Sequence, residues 1–93
     1  MEYNDGGIWI HGVSDVAGQS ILKAIFEFRA MHDLCDPGWH LRVYAVSRGY
    51  LDVWIGKPPT PAYRDPYTIL DDEEAGAKVL DILEHLHSEL VSP

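Results

Sequence analysis

Only one cysteine, Cys35, occurs in 93 residues. A lone thiol excludes an internal disulfide and makes a reducing compartment, the cytoplasm, the expected location. No apolar run approaches the roughly 20 residues that span a bilayer, so no membrane association is expected. The start, Met1-Glu2-Tyr3-Asn4-Asp5, lacks the basic flank and apolar stretch of a signal peptide. Basic residues are also scarce. Residues 1–70 carry eight acids and six bases, and residues 71–93 carry seven acids and one base. The net charge of −8 is therefore concentrated in the last quarter of the chain. A phosphate backbone would be repelled there, which makes nucleic acid an unexpected partner. A protein with a basic surface would be drawn in.

Catalytic motifs are missing too. The serines have no nucleophile-elbow setting, and Gly6-Gly7 and Gly12 do not form a phosphate-binding glycine loop. His32, Cys35 and His40 make an H-x2-C-x4-H run, but zinc needs a fourth ligand and no second cysteine exists. His85 and His87 fall on different sides of a helix and suit its C-terminal dipole. The acids at 71–74 are explained by helix capping. Neither a metal, a cofactor nor an enzymatic role is expected.

The pattern that is present centres on Trp39 to Gly56, which reads as a β-hairpin turning at Arg48-Gly49. Side chains alternate along a strand. Leu41, Val43, Ala45, Leu51, Val53 and Ile55 point one way. His40, Arg42, Tyr44, Tyr50, Asp52 and Trp54 point the other. Ahead of the hairpin, residues 1–7 read as a flexible lead ending in a turn, and Ile8-Trp9-Ile10-His11 as a strand. Ser14-Asp15 caps a helix whose stripe runs through Ala17, Ile21, Ala24, Phe28, Met31 and Cys35, widened by Leu22, Ile25 and Phe26. Asp36-Pro37-Gly38 stops it. Residues 57–67 hold four prolines and read as an extended loop, with a short edge strand at Tyr67-Thr68-Ile69 as an option. Asp71 opens the last helix, whose stripe is Ala75, Val79, Ile82, Leu83, Leu86 and Leu90; residues 91–93 are a frayed end.

These elements predict one domain over residues 1–93, of α+β class. A small, mainly antiparallel sheet in the order β-α-β-β-α packs in two layers against two helices. The expected core is Ile8, Ile10, Ile21, Ala24, Ile25, Phe28, Met31, Leu41, Val43, Ala45, Leu51, Val53, Ile55, Val79, Ile82, Leu83 and Leu86.

The far face of this sheet collects Trp9, His11, His40, Arg42, Tyr44, Tyr50, Asp52 and Trp54. A wet sheet face ordinarily carries Thr, Lys, Glu and Ser. Trp, Tyr and Arg are instead the residues of binding hot spots. Three readings follow. The proline loop folds back, laying Tyr63 and Tyr67 on Trp54 and Tyr44; or two copies bury their faces in a homodimer; or the face binds another molecule.

The order β-α-β-β-α with aromatics on the sheet resembles the RNA-recognition-motif domain. Arg48-Gly49-Tyr50-Leu51-Asp52-Val53-Trp54 is similar to that family's third-strand signature, with Trp9 in the first strand. The resemblance implies base stacking on the sheet. Asp52 stands where a stacking aromatic belongs and Leu51 where a small residue belongs, so no family assignment is carried over. The expected function is that of a small acidic, non-enzymatic protein-interaction module. In composition it resembles the accessory proteins of phages and mobile elements that inhibit host defence proteins. The alternative is a nucleotide or single-stranded nucleic acid stacked on Trp9, Tyr44 or Trp54, with Arg42 or Arg48 at the phosphate.

Overall fold

A computed structural model describes residues 1–32, 40–46, 51–56, 62–65 and 72–91; His40, residues 62–65 and residues 90–91 are described by their backbone. The elements are β1 (Glu2–Asp5), β2 (Ile8–His11), α1 (Asp15–His32), β3 (His40–Val46), β4 (Leu51–Gly56), β5 (Ala62–Asp65) and α2 (Ala75–Val91). The α+β class with a mixed sheet and two helices is as expected. The element order is not, because two strands are added. Residues 2–5, expected as a flexible lead, form β1, and the strand after the hairpin is Ala62–Asp65. Tyr67-Thr68-Ile69 lies outside the described residues, as does the turn at Arg48-Gly49.

Both added strands are sheet edges, since the strands lie in the order β1-β2-β3-β4-β5. Glu2, Asn4 and Asp5 are poor strand formers, but an edge accepts charge and even benefits from it. Pro61 and Pro66 flank β5 directly, and proline is tolerated beside an edge strand. Gly6 and Gly7 close the β1–β2 hairpin with φ of 59° and 86°, the positive values a two-residue turn needs. β2 and β3 run parallel, and α1 supplies the long crossover that a parallel pair requires. The other three pairings are antiparallel.

One core cluster joins alternate residues of β2, β3 and β4 to a stripe of each helix. Every expected core residue is buried except Met31, which is 65% exposed. The buried stripe of α1 runs through Ile21, Ile25 and Phe28, and the last turn carries half-buried His32, not Met31, towards α2. Val13, Ala17 and Ala75 complete the core.

The helices are clasped at one point. α1 is capped as the sequence predicts, with the Ala17 amide donating to Ser14 Oγ at 3.2 Å. α2 is capped differently. The expected cap, Asp71, lies outside the described residues; Asp72 instead takes the Glu74 amide in a local turn at 2.9 Å. The Gly76 amide donates to Ser20 Oγ of α1 at 2.9 Å, and that hydroxyl donates to the Glu73 carbonyl at 2.7 Å. A helix N-terminus leaves such amides without partners, so Ser20 caps α2 from a neighbouring helix. The approach needs a missing side chain, because a Cβ on Gly76 would stand 2.2 Å from the Ser20 carbonyl oxygen.

Glycine to alanine in an open helix stabilises by about 1 kcal/mol. Here Gly76→Ala is expected to destabilise by about 1–3 kcal/mol, the range for overpacking. Urea denaturation checks the sign; a gain in stability would refute the clasp.

Candidate functional site

The register of β2, β3 and β4 decides which side chains share the face opposite the helices. Trp9 pairs with Tyr44, Arg42 with Trp54, and Tyr44 with Asp52. Their neighbours Ile8, Ile10, Val43, Val53 and Ile55 are almost completely buried, so the intervening residues are turned away from the core. Trp9, Tyr44, Asp52 and Trp54 are half-buried, whereas His11 and Arg42 are exposed.

The side chains form a row across four strands. The Trp9 and Tyr44 rings meet edge to face, with centroids 5.9 Å apart at 88°. The Arg42 guanidinium lies 6.0 Å from the Tyr44 ring centre and 5.6 Å from that of Trp54. These are cation–π distances, worth about 0.5–1 kcal/mol each at an exposed site. On the other side of Trp9, the His11 ring stacks at 5.8 Å and 17°. His11 is held in turn by β1, where Nδ1 donates to Glu2 Oε2 at 2.6 Å. The second Glu2 oxygen accepts from the Gly12 amide at 3.3 Å. The row therefore reads Glu2, His11, Trp9, Tyr44, Arg42, Trp54.

Six of the expected binding residues, Trp9, His11, Arg42, Tyr44, Asp52 and Trp54, are brought together here. His40 pairs with Gly56, Tyr63 with Val53, and Arg64 with Asp52, all described by backbone alone. Tyr50 and Tyr67 lie outside the described residues. Glu2 was not foreseen, because its strand was not. The available signal was Asp5-Gly6-Gly7 set between two four-residue runs, a hairpin spacing.

Chemically the face offers rings and a guanidinium. The hydrogen bond from His11 holds the Glu2 carboxyl below the usual carboxylate range. An imidazole oriented by a carboxylate is a pairing that general-base sites use, but here both side chains are more than half exposed to solvent.

A second cluster lies between the helices. His32 Nε2 donates to both Glu84 oxygens, at 2.9 and 3.0 Å. The His32 and His87 ring centroids are 4.1 Å apart, with Phe28 beside both. His87 was expected to serve only the helix dipole; it faces α1 instead. Among the described residues, no three His, Cys, Asp or Glu side chains are placed to hold a metal ion, and Cys35 lies outside them. No helix among the described residues is long and apolar enough to cross a membrane. Comparison with protein-family models, curated proteins and solved structures finds no match to this chain.

The Glu2–His11 pairing makes a titration prediction. In His11→Gln the Glu2 carboxyl is expected to move up towards its ordinary value of 4.5, since its largest stabilising partner is gone. Carboxyl-carbon NMR reads this directly, and an unchanged midpoint would contradict the pairing.

Proposed function

We propose that this chain is a non-enzymatic binding module that engages a protein partner through the sheet face carrying Trp9, Tyr44, Arg42 and Trp54. The observation that carries this reading is the continuous row itself. Three half-buried rings and an exposed guanidinium are set on rigid strands and held by their own mutual contacts. Pre-arranged side chains lose little rotamer freedom on binding, which lowers the entropic cost of association. The rings offer on the order of 300 Å² of surface, a suitable centre for an interface of about 800 Å² a side.

The chemistry of the row narrows the partner. Its centre is aromatic and its charges are mixed, with Arg42 and Asp52 on adjoining strands and Glu2 at the edge. A complementary protein surface has an apolar centre with a carboxylate within reach of Arg42. The acidic helix α2 is not part of this patch. It packs on the opposite face of β4, against the side carrying Val53 and Ile55. Its charge acts on a basic partner during approach, over a Debye length of about 8 Å, and does not add contacts at the aromatic row.

Stacking of a nucleotide fits the row less well. One face of Trp9 is taken by His11, and Arg42 lies over Trp54. A base needs an open ring face, and the carboxylates of Glu2 and Asp52 oppose a phosphate.

The test compares Trp54→Ala with Val53→Ala, adjacent residues on opposite faces. Val53→Ala should cost about 1–3 kcal/mol of folding stability through a cavity. Trp54→Ala should cost clearly less, yet weaken capture of the wild-type partner by roughly 2–4 kcal/mol. Thermal melts beside quantitative pull-downs from the source cell give both numbers. If Trp54→Ala loses as much stability as Val53→Ala and keeps binding, the row is a second small core and the proposal fails.

A further inference from the structure

The helix seam holds a pair of imidazoles that the sheet face does not use. His32 ends α1 and His87 lies in the last third of α2. Their ring centroids are 4.1 Å apart at 37°, so the two rings overlap across the seam. Phe28, fully buried, lies beneath both at 4.8 and 5.8 Å. Among the described residues the carboxylate at the pair is Glu84, both of whose oxygens are engaged by His32 Nε2.

We propose that His32 and His87 form an acid-sensitive latch on the α1–α2 seam: when both rings are protonated, two cations face each other with ring centroids 4.1 Å apart, and this end of the seam opens. Like charges at such a separation in a partly buried site repel strongly. Buried Phe28 holds the rings in place, so the pair relieves the repulsion by parting the helices.

The groups facing the pair come from both helices. Glu84 lies on α2, His32 and Phe28 on α1, and the charges acting on His87 among the described residues are His32 and Glu84. Burial first, and then the charge of His32, hold the His87 ring below its ordinary value of 6.5, while Glu84 opposes them. At His87 the folded state thus binds fewer protons than the unfolded chain. The stabilisation is complete well above pH 6.5 and is lost progressively as the pH falls from there through the lowered folded value. His85 is separate, because it pairs with Glu89 on the exposed side of the same helix.

Histidine-ring NMR on the wild-type protein, with amide hydrogen exchange, tests the latch between pH 7.5 and 5.5. The His87 ring should titrate below 6.5. Protection of amides in the last turns of α1 and α2 should fall over the same interval, while strand amides stay protected. In parallel, the wild type should lose about 4 °C or more of melting temperature beyond what His87→Gln loses across this range, the shift that about 1 kcal/mol produces in a domain this size. Protonation of His87 at or above its ordinary value, or seam amides that stay protected while its ring protonates, would overturn the proposal. The NMR result stands even if the variant does not fold.

Discussion

The pairing register of β3 on β4 is the constraint on which the rest of this molecule depends. Leu41 opposite Ile55, Val43 opposite Val53 and Ala45 opposite Leu51 make an unbroken aliphatic rank. A slip by one residue would send that rank to solvent and bring Arg42, Tyr44, Asp52 and Trp54 against the helices. The penalty for burying Arg42 and Asp52 without partners is several kcal/mol, so the register is strongly enforced. The same enforcement fixes the outer rank. The aromatic row is therefore placed by the same register as the core that lies behind it.

The helices are held to this sheet by contacts that constrain each other. Ser20 links the start of α2 to the second turn of α1, at a point where Gly76 lets the backbones approach. Further along, Phe28, His32, Glu84 and His87 close the seam with polar groups half-exposed. One end is thus fixed by neutral hydrogen bonds that do not respond to pH in the neutral range. The other holds the paired His32 and His87 rings. In the proposed latch the seam opens from the histidine end, with α2 still anchored at its N-terminus.

What was legible in the sequence follows from how locally each feature is encoded. The alternation in β2, β3 and β4 and the helical stripes are short-range patterns, and they placed the core correctly except at Met31. Ser14 worked as a cap because its partner is three residues away. The failures share a cause, which is tertiary context. β1 is acidic and β5 is bounded by prolines, and each is a strand only because a neighbouring strand supplies hydrogen bonds. Ser20 looks like an ordinary helix residue, and only the approach of α2 makes it a cap. Met31 and His32 are adjacent, and the crossing of the two helices decides which of them is covered. In the candidate site, the face was legible from alternation alone. The order of side chains along it was not, because the neighbour of Trp9 depends on a parallel pairing across an 18-residue helix.

The central claim is that the aromatic row, and not the acidic helix or the exposed Phe26 on α1, is where a partner sits. Side-chain footprinting with hydroxyl radicals, on the protein alone and with its captured partner, reads each of these surfaces in one experiment. The account predicts that Trp9, Tyr44 and Trp54 become protected in the complex while Phe26, Met31 and His85 react as before. Protection of Phe26 or His85 with Trp9 and Trp54 unchanged would place the interface on the helices and contradict it.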